Sequence, residues 1–194
     1  MHSKGWYSRG YLPHFDSPET IQFITFRLAE TLPKAVAQAL AELPDNLAQT
    51  DNELDTGLGA CWLGRADIAE IVQATLLHFD SERYRLLAWC IMPNHVHAVV
   101  EPHGNQAIDR IVQSWKSYSA HRANQLLGRT GGFWHRDYFD RFMRDEGHLG
   151  RTIGYVENNP VKAGLVPSPE KWLWSSARWR MSRPEAGGPE ELRR

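Results

Sequence analysis

The sequence predicts an α+β domain, an antiparallel sheet with helices packed on it, of the ferredoxin-like or RRM-like type. Hydrophobic residues make up 42% of the 194 residues and charged residues 23%, the composition of a globular domain rather than a disordered or fibrous chain. Segments with the period of a strand alternate with segments with the period of a helix. Their order is strand, helix, strand, strand, helix, a segment readable as strand or extended loop, and helix, which fits helices layered on an antiparallel sheet.

Residues 21–28, IQFITFRL, are β-branched and aromatic and read as a strand. Gln22, Ile24, Phe26 and Leu28 share one face; Ile21, Phe23, Thr25 and Arg27 share the other. Residues 34–43 read as a short helix entered after Pro33 and stopped at Pro44. The polar, acidic stretch 44–60 reads as an inserted surface loop. Ile68, Ile71, Val72, Leu76 and Phe79 have the spacing of an amphipathic helix over 67–79.

RYRLLAWCIMPNHVHAVVE reads as two strands around a tight turn at Pro93-Asn94. The first, 84–92, is apolar on both faces, as expected of a central strand covered on both sides. Residues 108–127, with Ile111, Val112, Trp115, Tyr118 and Leu126, form a long helical segment. FWHRDYFDRFM after Gly131-Gly132 is aromatic and basic and reads as strand or extended loop. Residues 147–159 read as a helix stopped by Pro160, because a residue before proline is pushed out of helical geometry. Residues 181–194, with Pro184, Gly187, Gly188 and Pro189, read as a disordered tail, which leaves 1–180 as a single domain. The chain has no internal repeat.

No apolar stretch approaches the ~18–20 residues that span a bilayer, and MHSKGWYSRG has no signal-peptide core. Cys61 and Cys90 are too few for a disulfide framework and lack zinc-ribbon spacing. The expectation is a soluble cytoplasmic protein with no membrane partner. Its net charge of −1 argues on its own against a nucleic-acid partner, but the charge is unevenly distributed. Residues 1–104 hold 7 basic and 13 acidic side chains, whereas residues 105–180 hold 12 basic and 7 acidic. One basic face on a neutral molecule fits that asymmetry, and so does chance clustering of solvated charge.

The most informative residues are His95 and His97. On a strand their side chains project from one face, with Val99 and Glu101, while Val96, Ala98 and Val100 form an apolar face opposite. Two imidazoles spaced roughly 7 Å apart at the backbone can converge on one divalent ion. The alternative is a pair of hydrogen-bonded, half-buried histidines.

MPNHVHAVVE resembles the histidine–hydrophobic–histidine (HUH) signature of single-strand DNA nucleases. With Met92-Pro93-Asn94 in front, it is similar to the transposases of that superfamily that use a single tyrosine. RGYLPHFD (9–16), FWHRDYFDRFMRDEGHL (133–149) and YVENNPVKAGLV (155–166) resemble, in order, three segments of REP-associated tyrosine transposases. The likeness runs from about residue 9 to residue 179. It implies the HUH nuclease fold and a divalent ion, Mg²⁺ or Mn²⁺, held by His95, His97 and a third polar side chain. It also implies a tyrosine that attacks a phosphate of single-stranded DNA, leaving a 5′-phosphotyrosine link and a free 3′-hydroxyl. The partner it implies is a hairpin of REP type, and the location the cytoplasm, at the nucleoid.

Tyr155 aligns with the family nucleophile, and helix geometry supports it independently. Leu149, Ile153 and Val156 form an apolar stripe; Tyr155 and Asn159, four residues apart, share another face. Asn159 corresponds to the third metal ligand of related enzymes, and a neutral oxygen beside two imidazoles suits Mg²⁺ or Mn²⁺. Tyr138 is the fallback nucleophile, and Asn158 competes as ligand but points elsewhere. Arg9, Lys116, Arg122, Arg136, Arg141, Arg144 and Lys162 are candidate phosphate contacts, and Trp134 a candidate stacking platform for unpaired bases. Trp172, Trp174 and Trp179 either stack on bases or pin the C-terminal segment to the core.

Three functions compete: an enzyme that nicks and rejoins single-stranded DNA at hairpin repeats, a catalytically weak hairpin-binding regulator, and a phosphodiesterase using water that would not need Tyr155. The sequence leaves open monomer or homodimer, and the purpose of the acidic loop.

Overall fold

The computed structural model describes residues 5–8, 13–16, 20–29 and 59–182. Arg9, the helix expected at 34–43, nearly all of the 44–60 loop and the tail beyond 182 lie outside the described residues.

Among the described residues, six strands form two sheets. A small antiparallel pair, β1 (Gly5–Ser8) and β2 (Pro13–Asp16), was not foreseen as strands; β2 falls inside RGYLPHFD. The main sheet contains β3 (Gln22–Arg27), β4 (Tyr84–Ile91), β5 (His95–Pro102) and β6 (Phe139–Phe142) in the order β4-β5-β3-β6, antiparallel throughout. The helices are α1 (Ala66–Leu77), α2 (Ile108–Leu127), α3 (Glu146–Lys162) and α4 (Ser176–Ser182). This is the α+β architecture expected, with the ambiguous aromatic segment supplying edge strand β6.

Alternation along the strands decides the layers. Ile24, Phe26 and Leu28, with Val96, Ala98 and Val100, meet the apolar stripes of α1 (Ile68, Val72, Leu76) and α2 (Ile108, Ile111, Val112, Trp115). The opposite face presents Phe23, Val99, Ala88 and Cys90 to Val156 of α3, with Leu149 and Ile153 packed alongside. A register shift between Leu86 and Ala88 reverses the alternation in β4, so that Leu86, Trp89 and Ile91 all face the first layer. One hydrogen-bonded line ties the first layer together: Trp115 Nε1 donates to Tyr84 Oη (2.8 Å), which donates to the Leu76 carbonyl (2.7 Å).

Two expectations need correction. β4 is an edge strand, not a central one. It is apolar on both faces because both layers cover it, and its free edge is covered by the C-terminal segment. Ile91 N–H donates to the Trp174 carbonyl (2.9 Å), Trp172 Nε1 to the Ile91 carbonyl (2.9 Å) and Trp89 N–H to Ser176 Oγ (3.1 Å). Trp172 and Trp174 therefore pin this segment rather than await a base.

Helix α3 also runs through Pro160 to Lys162. Proline removes one donor and crowds the carbonyl of Val156. The last turn closes with bonds that need nothing from the proline nitrogen: Ala163 N–H to Asn159 O and Leu165 N–H to Pro160 O, each 2.9 Å. Similarly, α4 continues to Ser182, two residues into the segment read as tail.

Candidate active site

The site lies between the sheet and α3. A tight turn, with Met92 N–H donating to the His95 carbonyl (2.9 Å), delivers β5 so that His95 and His97 face α3. Both rings are fully buried, and their Nε2 atoms are 2.9 Å apart. On their far sides, His95 Nδ1 lies 2.7 Å from Asn94 Oδ1 and His97 Nδ1 lies 2.8 Å from Thr25 Oγ1. Phe23 stacks against His97 with ring centroids 5.5 Å apart.

Helix α3 starts at Asp145, whose carboxylate accepts from His148 N–H (2.7 Å), and docks through its apolar stripe. That docking turns Tyr155 toward the histidines: its ring is half-buried, edge-on to Phe23 at 6.2 Å and to His97 at 5.9 Å. Lys162 Nζ lies 5.8 Å from the Tyr155 ring centroid. One turn beyond Tyr155 on the same face, Asn159 is 1% exposed, and among the described residues neither oxygen nor nitrogen of its carboxamide has a hydrogen-bond partner. A buried carboxamide left unpaired costs about 1–3 kcal/mol, so this one marks a place where something outside the chain belongs.

The donor set fits a divalent ion. Two ligand atoms ~2.1 Å from an octahedral ion at right angles are roughly 3 Å apart, close to the observed separation of the imidazole nitrogens. Among the described residues no group of three or more His, Cys, Asp and Glu side chains is assembled that could hold a metal, so a third ligand from the described residues would be a side chain of another type. Asn159 offers its carboxamide oxygen.

Burial pushes His97 down from 6.5 to about 3, with the positive charge of Lys162 adding to the effect. The imidazole is therefore neutral at pH 7, the form a metal requires. Above pH 6.5 neither folded nor unfolded chain holds this proton. As pH falls from 6.5 toward 3 the unfolded chain binds it and the folded chain does not, so stability declines. The thermal midpoint of the metal-free protein is expected to fall through this window, and less steeply in His97→Gln; equal slopes would contradict the assignment.

Other candidates are more scattered. Trp134 is a correction: it is 7% exposed, bridged to Leu28, edge-on to Phe26 at 4.8 Å and donating to Ser119 Oγ (2.9 Å), so its ring has no face for a base. Lys116 is held to its own chain, its ammonium bonded to the carbonyls of Arg136 (2.9 Å) and Asp137 (3.5 Å). Arg122, Arg136, Arg144 and Lys162 are exposed; Arg141 is half-buried, its guanidinium 5.7 Å from the Phe139 ring centroid. Glu101 pairs with Arg85 (2.7 Å), and Tyr138 is buried in the first layer.

Sequence reasoning passed over Thr25, Phe23, Asn94 and Arg27. The β3–β5 register pairs Thr25 with His97 and Arg27 with His95, on the same face, and burial holds the Arg27 pKa below its ordinary value. The alternation in IQFITFRL places Phe23, Thr25 and Arg27 on one face; only the strand pairing shows that it is the histidine face.

A model of the IS200-like transposase family matches residues 65–159, the span that contains His95, His97, Tyr155 and Asn159. A curated protein of Haemophilus influenzae, named as a REP-associated tyrosine transposase, is 31% identical over 104 residues, covering 48% of this chain. The chain spans 58% of the length of that relative. The fold superposes on a solved structure described as a REP-associated tyrosine transposase bound to a REP hairpin, with a TM-score of 0.58 and 16% identity, over 94% of this chain and 91% of the other. At that identity the likeness speaks for the fold. No described helix is long and apolar enough to cross a membrane. Residues 65–159 are thus similar to the IS200-like transposases, and the chain is similar in sequence to a REP-associated tyrosine transposase and in fold to another.

Proposed function

We propose that the protein is a divalent-metal-dependent endonuclease and strand transferase for single-stranded DNA, acting at REP-type hairpins through a 5′-phosphotyrosine link. One observation carries this reading: an unpartnered, buried carboxamide, Asn159, on the same helix face as Tyr155, whose ring lies against His97 of the paired imidazoles. The hairpin substrate rests on the names of the two relatives described above.

His95, His97 and Asn159 would hold Mg²⁺ or Mn²⁺. The ion would withdraw charge from a bound phosphate and favour the phenolate of a nearby tyrosine. Tyr155 supplies the nucleophile. Its phenol, a group with an ordinary pKa of ~10, must lose its proton as the new bond forms. Tyr155 Oη forms a bond to phosphorus while the bond to the 3′-oxygen breaks, and that oxygen takes up a proton. The phosphodiester energy is kept in the new link, so attack by a 3′-hydroxyl reverses the step and joins strands without ATP. Packing against Phe23 and His97 fixes the ring for in-line attack. Arg122, Arg136, Arg141, Arg144 and Lys162 are the side chains for the DNA backbone.

The test is cleavage and rejoining of a labelled single-stranded REP hairpin with Mg²⁺ or Mn²⁺. The expected result is a nick with a free 3′-hydroxyl and a blocked 5′ end, transfer to a second strand, and loss of both in EDTA. Cleavage that persists in EDTA would contradict the reading. Tight binding with no cleavage in either ion would favour a hairpin-binding regulator.

A further inference from the structure

We propose that Thr25 is a positioning residue: its rotatable hydroxyl lets the His97 ring change tautomer and present its Nε2 lone pair. This rests on the metal reading above.

Four polar groups form a line: Thr25 Oγ1, His97 Nδ1 and Nε2, His95 Nε2 and Nδ1, and Asn94 Oδ1, with successive separations of 2.8, 2.9 and 2.7 Å. A carboxamide oxygen only accepts, so His95 carries its proton on Nδ1 and leaves Nε2 bare. Two bare nitrogens at 2.9 Å would repel, and full burial of both rings disfavours an imidazolium. His97 therefore carries its proton on Nε2 and donates it to His95, while its bare Nδ1 accepts from the Thr25 hydroxyl. Every group in the line is satisfied without net charge.

His95 is thus already in the tautomer that ligates through Nε2, and His97 is in the other. To ligate, His97 must lose a proton from Nε2 and gain one on Nδ1, with no change of charge. The new Nδ1–H then needs an acceptor. Thr25 is 6% exposed and opposite His97 in the β3–β5 register, so its own oxygen is the partner in place. A hydroxyl can donate in one state and accept in the other; few other side chains of this size can. Asn94, by contrast, locks His95 in one state.

The experiment compares wild type, Thr25→Val and Thr25→Ser. Mn²⁺ affinity is measured by calorimetry, and the His97 ring nitrogens are followed by long-range ¹H–¹⁵N spectra without metal and with Mg²⁺. Thr25→Val is expected to weaken Mn²⁺ binding about 10–100-fold, the usual effect of losing a partner of a ligating histidine. Thr25→Ser is expected to stay near wild type. In wild type His97 should carry its proton on Nε2 without metal and on Nδ1 with Mg²⁺. A folded Thr25→Val protein that binds Mn²⁺ as tightly as wild type overturns the proposal. So does a metal-free wild-type spectrum with the His97 proton on Nδ1, a readout that stands even if Thr25→Val fails to fold. If wild type binds neither ion, the metal reading falls and takes this inference with it; if only the Thr25 results fail, the metal reading stands.

Discussion

Tyr155→Phe is expected to abolish the covalent DNA adduct and to slow strand cleavage by more than ~1000-fold, leaving Mn²⁺ affinity and thermal stability close to wild type. The split follows from what the residue touches. Its ring packs edge-on to Phe23 and His97, and phenylalanine keeps both contacts. The phenolic oxygen is lost, and Tyr138, the alternative nucleophile, is buried in the layer on the other side of the sheet. Denaturing gels with labelled hairpin DNA, together with calorimetry for the metal, would check both halves. Cleavage by Tyr155→Phe at near wild-type rate would make water the nucleophile.

Asn159→Leu is expected to move stability and function in opposite directions. The wild-type carboxamide is buried with both polar atoms unpartnered, and leucine is of similar size and has nothing to satisfy. The metal-free variant should be about 1–3 kcal/mol more stable than the metal-free wild type. It should also bind Mn²⁺ at least ~10-fold more weakly and cleave correspondingly slowly. Chemical denaturation in EDTA measures the first effect and calorimetry the second. Destabilisation, with unchanged metal affinity, would show that the carboxamide serves the fold and not an ion. A buried side chain that costs stability in the metal-free protein marks where a ligand binds.

Much of the site was legible in the sequence because it sits on regular elements. Strand alternation separates His95 and His97 from Val96, Ala98 and Val100, as the structure has them, whereas Tyr155, separated by helix periodicity from Leu149, Ile153 and Val156, packs against the same cluster as they do, with Asn159 buried one turn on. What periodicity cannot supply is pairing between distant segments. Thr25 lies 72 residues from His97, and nothing local in IQFITFRL says which strand it will face. The same gap explains β4. Its two apolar faces were read correctly as covered, but its place at the edge depends on Trp172, Trp174 and Ser176, more than eighty residues on, taking the role of a neighbouring strand. Trp134, a candidate platform for unpaired bases by residue type, is drawn under α2 by its bridge to Leu28. Pro160 shows the limit of a local rule, since the last turn of α3 closes around it.

In the proposed function Tyr155 and the group formed by His95, His97 and Asn159 act as one metal-dependent phosphotyrosine centre. The most direct measurement is mass spectrometry of peptides from wild-type protein trapped on a single-stranded REP hairpin in Mn²⁺. The expected result is a nucleotide remnant on the peptide containing Tyr155, absent when EDTA is present. A remnant on the Tyr138 peptide, or a cleaved hairpin with no peptide attached, would contradict it.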